Sequence, residues 1–390
     1  MRALVIGAGN IGLGFLGYLL WKSGLYEITF IEAQPERVKL LNDMREYVVV
    51  TVGSAGSREE VIGPVNAISA LDSDAVMSAV VDADLVLTAV GKPNLIRVAP
   101  LLGEGLVQRL QLRPRSEMHL VVVACENVYD NTRYLEGLIL EALPEEQRSS
   151  IHNLVSFPSC MVDRIVPSST RDTRHPLVVT VEEYFQFVVD GTALKGAFPA
   201  VPGIEISTSL PAKLEQKLFT LNMLHGIVGY WGTIAGYQFV HEAIGDSRVV
   251  ELARGSLREV SQVLCSRHPS IDAASQEKYG ETIIDRFRNP HLRDPLLRVT
   301  SQPIRKLGVE ERLIKPARLA LEQDLIPSHL ATGIAAAFRY SNGEDAEAVR
   351  LSGRIRDEGI DRTIQNVAGL DQAHPLTQLI KADFLLSSLR

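Results

Sequence analysis

The sequence has little of what a disulfide-linked or metal-dependent protein needs. Its 390 residues include three cysteines, Cys125, Cys160 and Cys265, which stand far apart without a CxxC pair. This spacing offers neither a disulfide framework nor a thiolate zinc site, and it fits a reducing compartment. The nine histidines are scattered without an HxH or HExxH pattern. We therefore expect no catalytic metal.

The sequence also lacks an excess of positive charge and long apolar runs. The formal net charge is -7, which disfavours a protein that grips a phosphate polymer or an anionic membrane, so nucleic acid is not an expected partner. No uninterrupted apolar stretch approaches the roughly 20 residues that cross a bilayer. Residues 1–6 enter a strand pattern directly, without the features of a signal peptide. We expect a cytoplasmic protein without a membrane anchor, as a monomer or a small homo-oligomer.

The first half of the sequence alternates β-rich and helical segments. Several β-rich runs are almost continuously apolar, as in strands buried on both faces of a parallel sheet. These runs are Ala3–Ile6, Ile28–Ile31, Leu85–Ala89 and Leu120–Ala124. From about Pro211 the pattern changes to long amphipathic runs, which are typical of helices. The sequence predicts an α/β Rossmann-type doubly wound N-terminal domain over residues 1–200 and a mostly α-helical C-terminal domain over residues 201–390.

A glycine-rich turn follows the first predicted strand. It has the form GxGxxG, with Gly7, Gly9 and Gly12 as its glycines and Asn10 and Ile11 before the last of them. The first glycine permits a tight turn, the second lets the backbone approach a pyrophosphate, and the third lets the next helix pack closely on the strand. The amides that begin the helix then point at the phosphates. These five residues are predicted to bind a dinucleotide.

A carboxylate stands where a dinucleotide site requires one. The second predicted strand ends in Glu32, about 20 residues past the last glycine of the motif. A carboxylate there hydrogen-bonds the adenosine ribose and repels a 2′-phosphate, which favours NAD over NADP. The nearest cation is Arg37, and Ala89 and Val90 are expected alongside the cofactor. The alternative is a glycine-rich turn with a chance acid nearby.

One predicted helix carries three polar side chains among leucines. Lys217, Asn222 and His225 lie within ten residues. On a continuous α-helix, Asn222 and His225 fall roughly 140° and 80° around the axis from Lys217, so all three can face one cleft. A lysine, a carboxamide and an imidazole are costly to bury without partners, which makes them candidates for a site.

These residue types suit the oxidation of a secondary alcohol. The reaction needs a base for the hydroxyl proton and donors for the oxygen, which becomes negative as hydride departs. Lys217 can be the base, Asn222 a donor, and His225 a group that orients a substrate hydroxyl. The alternative is a solvated lysine, a surface asparagine and a core histidine. Glu215 and Glu126 are both candidates for a proton-relay acid.

The Lys-x4-Asn-x2-His pattern resembles the signature of the polyol-specific long-chain dehydrogenases, the mannitol dehydrogenase family. Two further segments, Ala124–Asn127 and Val162–Pro167, resemble conserved elements of that family. The resemblance implies that Lys217 is the general base and that Asn222 and Asn127 form an oxyanion hole. It also implies that His225 orients the substrate and that Asp163 lies near it, although Asp163 and Arg164 could instead be a structural ion pair.

Within the family, the sequence is most similar to the branch that interconverts D-mannitol 1-phosphate and D-fructose 6-phosphate with NAD. Four basic residues could share one phosphate dianion, or could form a solvated helix face. They are Arg305, Lys306, Arg312 and Lys315. We expect a small-molecule polyol or polyol phosphate as substrate, bound in a cleft between the domains. Open alternatives are mannitol, sorbitol or arabitol chemistry and an NAD-binding sensor without catalysis.

Overall fold

The computed structural model describes residues 1–53, 56–113, 119–167 and 175–386. The chain forms two compact units, Met1–Leu210 and Pro211–Arg390. The sequence-based division after residue 200 lies before a strand, β12 (Ile204–Ser207), that the structure keeps in the first unit. The reason is that β12 pairs in parallel with β11 (Gln186–Asp190).

The first unit is built on a six-stranded sheet whose strands are all parallel. In spatial order they are β5 (Val65–Ser69), β2 (Glu27–Glu32), β1 (Arg2–Ile6), β6 (Leu85–Thr88), β7 (Leu120–Ala124) and β8 (Val155–Ser156). The order reverses between β1 and β6, which makes the carboxyl ends of these two strands the expected ligand-binding edge. The predicted doubly wound Rossmann-type domain is confirmed.

Helices cover both faces of this sheet, and each face has its own core. Ala3 and Val5 of β1 belong to one apolar cluster, whereas Leu4 and Ile6 belong to the other. This explains why the strand is continuously apolar. The helices are α1 (Tyr18–Ser23), α2 (Pro35–Met44), α3 (Ser73–Asp82), α4 (Lys92–Leu112), α5 (Asn131–Glu141) and α6 (Glu145–Leu154).

Two three-stranded sheets complete the first unit. In one, β3 (Tyr47–Gly53) pairs antiparallel with β4 (Gly56–Ile62) and parallel with β10 (Val178–Glu182). In the other, β11 pairs antiparallel with β9 (Cys160–Asp163) and parallel with β12. The β3–β4 pair was not predicted from the sequence. The segment after β9 runs beside β10, because the amide of Glu182 donates to the carbonyl of Ile165 at 3.1 Å, and Arg164 in this segment donates to the carbonyl of Gly14 in the first helix.

The second unit is mostly helical, as predicted. Aspartates cap several helix starts by accepting from backbone amides, as Asp246 does for Arg248 and Asp272 for Ser275. Among the described residues, no helix combines the length and apolarity needed to cross a membrane. The helices are α7 (Leu210–Lys217), α8 (Met223–Ile234), α9 (Val240–Ala243), α10 (Ser247–Arg267), α11 (Ala273–Phe287), α12 (Leu296–Thr300), α13 (Pro303–Lys306), α14 (Ile314–Leu321), α15 (Ser328–Arg339), α16 (Ala346–Ala368) and α17 (Pro375–Leu386).

Candidate functional site

The glycine-rich turn has the backbone geometry that its sequence requires. Gly7 has φ +97°, a left-handed conformation that favours glycine. A Cβ added at Gly12 would lie 1.8 Å from the carbonyl oxygen of Gly7, so only glycine permits this close packing. A Cβ added at Gly9 would meet nothing within 4 Å, which leaves its backbone open to a ligand. Asn10 donates from Nδ2 to the carbonyl of Pro167 at 3.3 Å, and Ile11 packs partly buried against the core.

The Glu32 carboxylate, at the end of β2, is oriented by two backbone amides. Glu32 is 7% exposed, and its two carboxylate oxygens accept from the amides of Ala8 and Gln34, each at 2.9 Å. Each oxygen keeps a further acceptor position for a ribose hydroxyl. Arg37 turns back toward the same place, with Nη1 3.2 Å from the carbonyl oxygen of Ala8 and 3.6 Å from the Glu32 carboxylate. The carboxylate and the guanidinium therefore lie side by side next to Ala8 of the glycine-rich turn.

Ala89 and Val90 lie against the glycine-rich turn, as expected for residues beside a cofactor. A Cβ added at Gly7 would lie 2.6 Å from the carbonyl oxygen of Ala89. The loop is held by Glu126, which accepts from Thr88 Oγ1 at 2.7 Å and from the amide of Val90 at 3.0 Å. Burial raises the pKa of Glu126, while these hydrogen bonds oppose the rise. Glu126 therefore shapes the loop after β6.

The other predicted residues of the first unit lie on two neighbouring segments. Asn127 is exposed on the loop that follows β7. Asp163 ends β9 and is 3% exposed. The Arg164 side chain donates to the carbonyls of Glu182 and Gly14, at 2.9 and 3.0 Å. The hydrogen bond between this segment and the first helix was not predicted from the sequence.

In the second unit, a π-helical turn separates Lys217 from His225. The turn spans Leu218–Asn222, and the amide of Met223 donates to the carbonyl of Leu218, five residues earlier. The predicted continuous α-helix is therefore wrong in this stretch, because i→i+5 bonds widen the turn and change which side chains align. Residues five apart, such as Lys217 and Asn222, come to lie one turn above each other. Both are 7% exposed, so neither side chain extends into bulk water.

His225 is a largely buried imidazole, 12% exposed at its side chain, beside an ion pair. Its ring stacks on Phe287 with centroids 4.3 Å apart, and its Nε2 lies 3.8 Å from Asp294 Oδ2. Asp294 forms two hydrogen bonds to Arg298, at 2.6 and 2.5 Å. Within the described part of the chain, His225 Nε2 is buried without a hydrogen-bond partner. That atom is suited to a substrate hydroxyl.

Four cations act on this imidazole. Burial lowers the pKa of His225 well below its usual value, and Arg298, Arg286, Lys306 and Arg312 lower it further. Arg286, Lys306 and Arg312 are 8%, 5% and 8% exposed. Burial lowers the pKa of Lys306 to about 7, and Arg312, Arg305 and Arg298 contribute. The structure thus gathers positive charge around a neutral histidine.

The structure brings only part of the predicted basic set to His225. Lys306 and Arg312 act on it, and Arg286 and Arg298 were missed by sequence reasoning. Arg305 is 45% exposed at its side chain and pairs with Glu311 at 3.0 Å. One feature of the sequence could have indicated Arg298: it lies four residues after Asp294, the i,i+4 spacing of an ion pair on a helix.

Lys315 and Glu215 belong to a separate network. Lys315 pairs with Glu310 at 3.0 Å and lies 3.8 Å from Glu215. Glu215 also pairs with Arg267 at 3.1 Å and His268 at 2.5 Å. Burial alone would raise the pKa of Glu215, but Arg267 and His268 lower it. Among the residues that the structure describes, no group of three or more metal-ligating side chains is placed to hold a metal ion.

The two units match the two domains of one family. A family model for the mannitol dehydrogenase Rossmann domain matches residues 1–203, and one for the mannitol dehydrogenase C-terminal domain matches residues 211–385. A substrate-free D-sorbitol dehydrogenase shares 18% identity at a TM-score of 0.81, over 99% of this chain and 93% of its own. Pseudomonas fluorescens mannitol 2-dehydrogenase, solved with NAD and D-mannitol, shares 19% sequence identity at a TM-score of 0.77. The match covers 100% of this chain and 92% of that one. At these identities the structures establish the shared fold, and the family models confirm the resemblance seen in the sequence: the chain belongs to the mannitol dehydrogenase family.

Proposed function

We propose that this protein is an NAD-dependent dehydrogenase that interconverts D-mannitol 1-phosphate and D-fructose 6-phosphate. The observation that carries the phosphate part is the group of cations around His225, which we call the cationic cluster: Arg286, Arg298, Lys306 and Arg312. A neutral polyol gives no reason to collect these charges. A phosphate dianion does, because several cations can share its oxygens.

Within the cationic cluster, two arginines pair with carboxylates, whereas Lys306 contacts a backbone carbonyl. Arg298 pairs with Asp294, and Arg312 donates to Glu311 at 3.0 Å. Lys306 donates to the backbone carbonyl of Val299 at 2.5 Å. Buried charges are costly without an opposite charge, so a bound dianion would stabilise this arrangement. Burial and, after it, the charges of Arg312, Arg305 and Arg298 lower the pKa of Lys306 to about 7, and a bound dianion would favour its charged form.

The glycine-rich turn and Glu32 fit NAD. The open backbone at Gly9 suits a pyrophosphate, and the oriented Glu32 carboxylate suits the two ribose hydroxyls. When bound, NAD accepts the hydride that leaves the carbinol carbon. The residues that we assign to the cofactor all lie in the first unit.

We assign the remaining roles to Lys217, Asn222, His225 and Asn127. Lys217, in its uncharged form, accepts the proton of the substrate hydroxyl at Nζ. Asn222 and Asn127 donate amide hydrogens to the oxygen as it gains negative charge. His225 is neutral and presents Nε2 to a neighbouring hydroxyl of the polyol, which orients the reacting carbon.

The test is steady-state kinetics of the purified protein with NAD and mannitol 1-phosphate or mannitol, and with NADH and fructose 6-phosphate or fructose. We expect kcat/KM to be higher for each phosphorylated substrate by about 100-fold or more, because two or more charged contacts are lost without phosphate. Equal values for mannitol and mannitol 1-phosphate would remove the phosphate claim. Absence of turnover with the whole panel, with NADH binding intact, would favour a sensor.

A further inference from the structure

The helix that begins at the glycine-rich turn contains a π-helical turn of its own, at Gly12–Gly17. Two backbone carbonyls in this turn accept hydrogen bonds from side chains of other segments. Tyr47 donates from its hydroxyl to the carbonyl of Leu13 at 2.9 Å, and Arg164 donates to the carbonyl of Gly14 at 3.0 Å. Side chains that insert into a helical ladder fix the position of an irregular turn.

The Arg164 side chain is buried beside this π-helical turn. It is 8% exposed, and its guanidinium carbon lies 4.8 Å from the ring centroid of Tyr18 and 5.8 Å from those of Phe15 and Phe185. Its Nε donates to the carbonyl of Glu182 on β10 at 2.9 Å. The same guanidinium therefore joins β10 to the first helix. Burial lowers its pKa to about 10, so it stays charged at neutral pH.

Two more contacts bind the segment of Arg164 to the glycine-rich turn. Asn10, within the GxGxxG motif, donates to the carbonyl of Pro167 at 3.3 Å. Gly14 lies so close to β10 that an added Cβ would be 2.7 Å from the side chains of Val179 and Val181. The turn is thus fixed on one side by β10 and on another by the Val162–Pro167 segment.

We propose that Arg164 is a positioning residue for the dinucleotide, which acts by fixing the π-helical turn and thereby the amides of the glycine-rich turn that face the pyrophosphate. Tyr47 has the same role at the neighbouring carbonyl. The proposal rests on the proposed function, because it presumes that the turn binds NAD. It assigns to the Val162–Pro167 segment an effect on cofactor affinity that is separate from any contact of Asp163 with substrate.

The test compares Arg164→Met, Arg164→Lys and Tyr47→Phe with the wild type in the full-length protein. NADH affinity is measured by fluorescence titration, the NAD KM and kcat by initial rates, and stability by thermal unfolding. The matched control is Arg109→Met. Arg109 is also buried, at 2% exposure, and donates to the carbonyls of Val81 and Ala83 at 2.5 and 2.7 Å, so it joins α4 to the end of α3.

We expect Arg164→Met to weaken NADH binding and raise the NAD KM by about 10-fold or more, with kcat within about 2-fold, because charged hydrogen bonds to the turn are lost. Arg164→Lys should restore part of the affinity, and Tyr47→Phe should show a smaller loss. Arg109→Met should lower the unfolding temperature without changing NADH affinity. Should Arg164→Met not fold, the milder Arg164→Lys and Tyr47→Phe carry the same test.

Unchanged NADH affinity in every folded variant would overturn the proposal. A loss of affinity that Arg109→Met reproduces would also overturn it, since the effect would then be general destabilisation. Failure of the wild type to bind NADH would overturn the proposed function itself and this inference with it. The wild-type titration therefore distinguishes the two failures.

Discussion

At the scale of single residues, Lys306 is the group of the cationic cluster whose charge changes near neutral pH. Burial, assisted by Arg312, Arg305 and Arg298 and opposed by Glu311, lowers its pKa to about 7. The free protein therefore holds a charged Lys306 below about pH 7 and loses that charge as the pH rises. We predict that the KM for the sugar phosphate increases about 10-fold between about pH 6.5 and 8.5.

The control for this pH effect is Lys306→Arg, which keeps the charge throughout the range. Its KM should stay nearly constant with pH. The second ionisation of phosphate, near pH 6, increases the fraction of dianion as the pH rises. This favours binding and so works against the predicted increase in KM. A KM of the wild type that is flat over this range would show that Lys306 does not contribute its charge to the phosphate.

We propose that Glu32 and Arg37 decide between NAD and NADP. The Glu32 carboxylate accepts from the amide of Ala8 in the glycine-rich turn, and the Arg37 guanidinium lies 3.6 Å from it. We predict that Glu32→Ser raises the NAD KM by about 10-fold or more through lost ribose hydrogen bonds. The same change should allow NADP to be used, because Arg37 can then bind the 2′-phosphate. Initial rates with both cofactors measure this.

A double variant isolates the contribution of Arg37. Glu32→Ser with Arg37→Ala should lose the gained NADP activity while keeping the weakened use of NAD. If the double variant used NADP as well as Glu32→Ser does, another cation would be responsible. If Glu32→Ser left the NAD KM unchanged, the carboxylate would not contact the ribose.

At the scale of elements, the packing of α8 against α15 depends on a small residue. A Cβ added at Gly333 would lie 2.6 Å from Cγ1 of the fully buried Ile227, so one helix must move. We predict that Gly333→Ala destabilises the protein by about 1–3 kcal/mol, and that combining it with Ile227→Ala, which removes the Cγ atoms that the new Cβ would meet, costs less than the sum of the two single changes. Denaturant unfolding measures both.

The control for this packing prediction is Gly353→Ala on α16. A Cβ added there would meet only the end of the Arg356 side chain, at 3.8 Å. This change should be neutral or stabilise by about 0.5–1 kcal/mol, because alanine is the better helix former. Equal destabilisation by both variants would contradict an account based on close packing at Gly333.

The elements also show where sequence reasoning reaches its limit. The strands β1, β2, β6 and β7 were predicted because both of their faces are buried, which leaves a continuous apolar run. The two π-helical turns were not, since no local pattern distinguishes Leu218–Asn222 from an α-helix. Such a turn is fixed by contacts from distant segments, as Arg164 and Tyr47 provide for the first one.

At the scale of the whole molecule, the fold class and the family could be predicted, but the cationic cluster only in part. Arg286 and Arg298 reach His225 from the segment that runs from α11 to α12, whereas sequence reasoning selected Arg305 and Lys315. In the structure these two pair instead with Glu311 and Glu310. Which basic side chains meet a buried histidine depends on how helices pack, and spacing along the chain does not report that.

In the function that we propose, the first unit supplies the cofactor-binding residues and the second unit supplies the general base. Lys217→Ala therefore tests the central claim most directly when NADH binding and turnover of mannitol 1-phosphate are measured on the same preparation, with Lys213→Ala on the same helix as control. We predict near-normal NADH affinity and a loss of kcat by a factor of about 10² or more for Lys217→Ala, and near wild-type values for the control. Unchanged turnover in Lys217→Ala would contradict a lysine base.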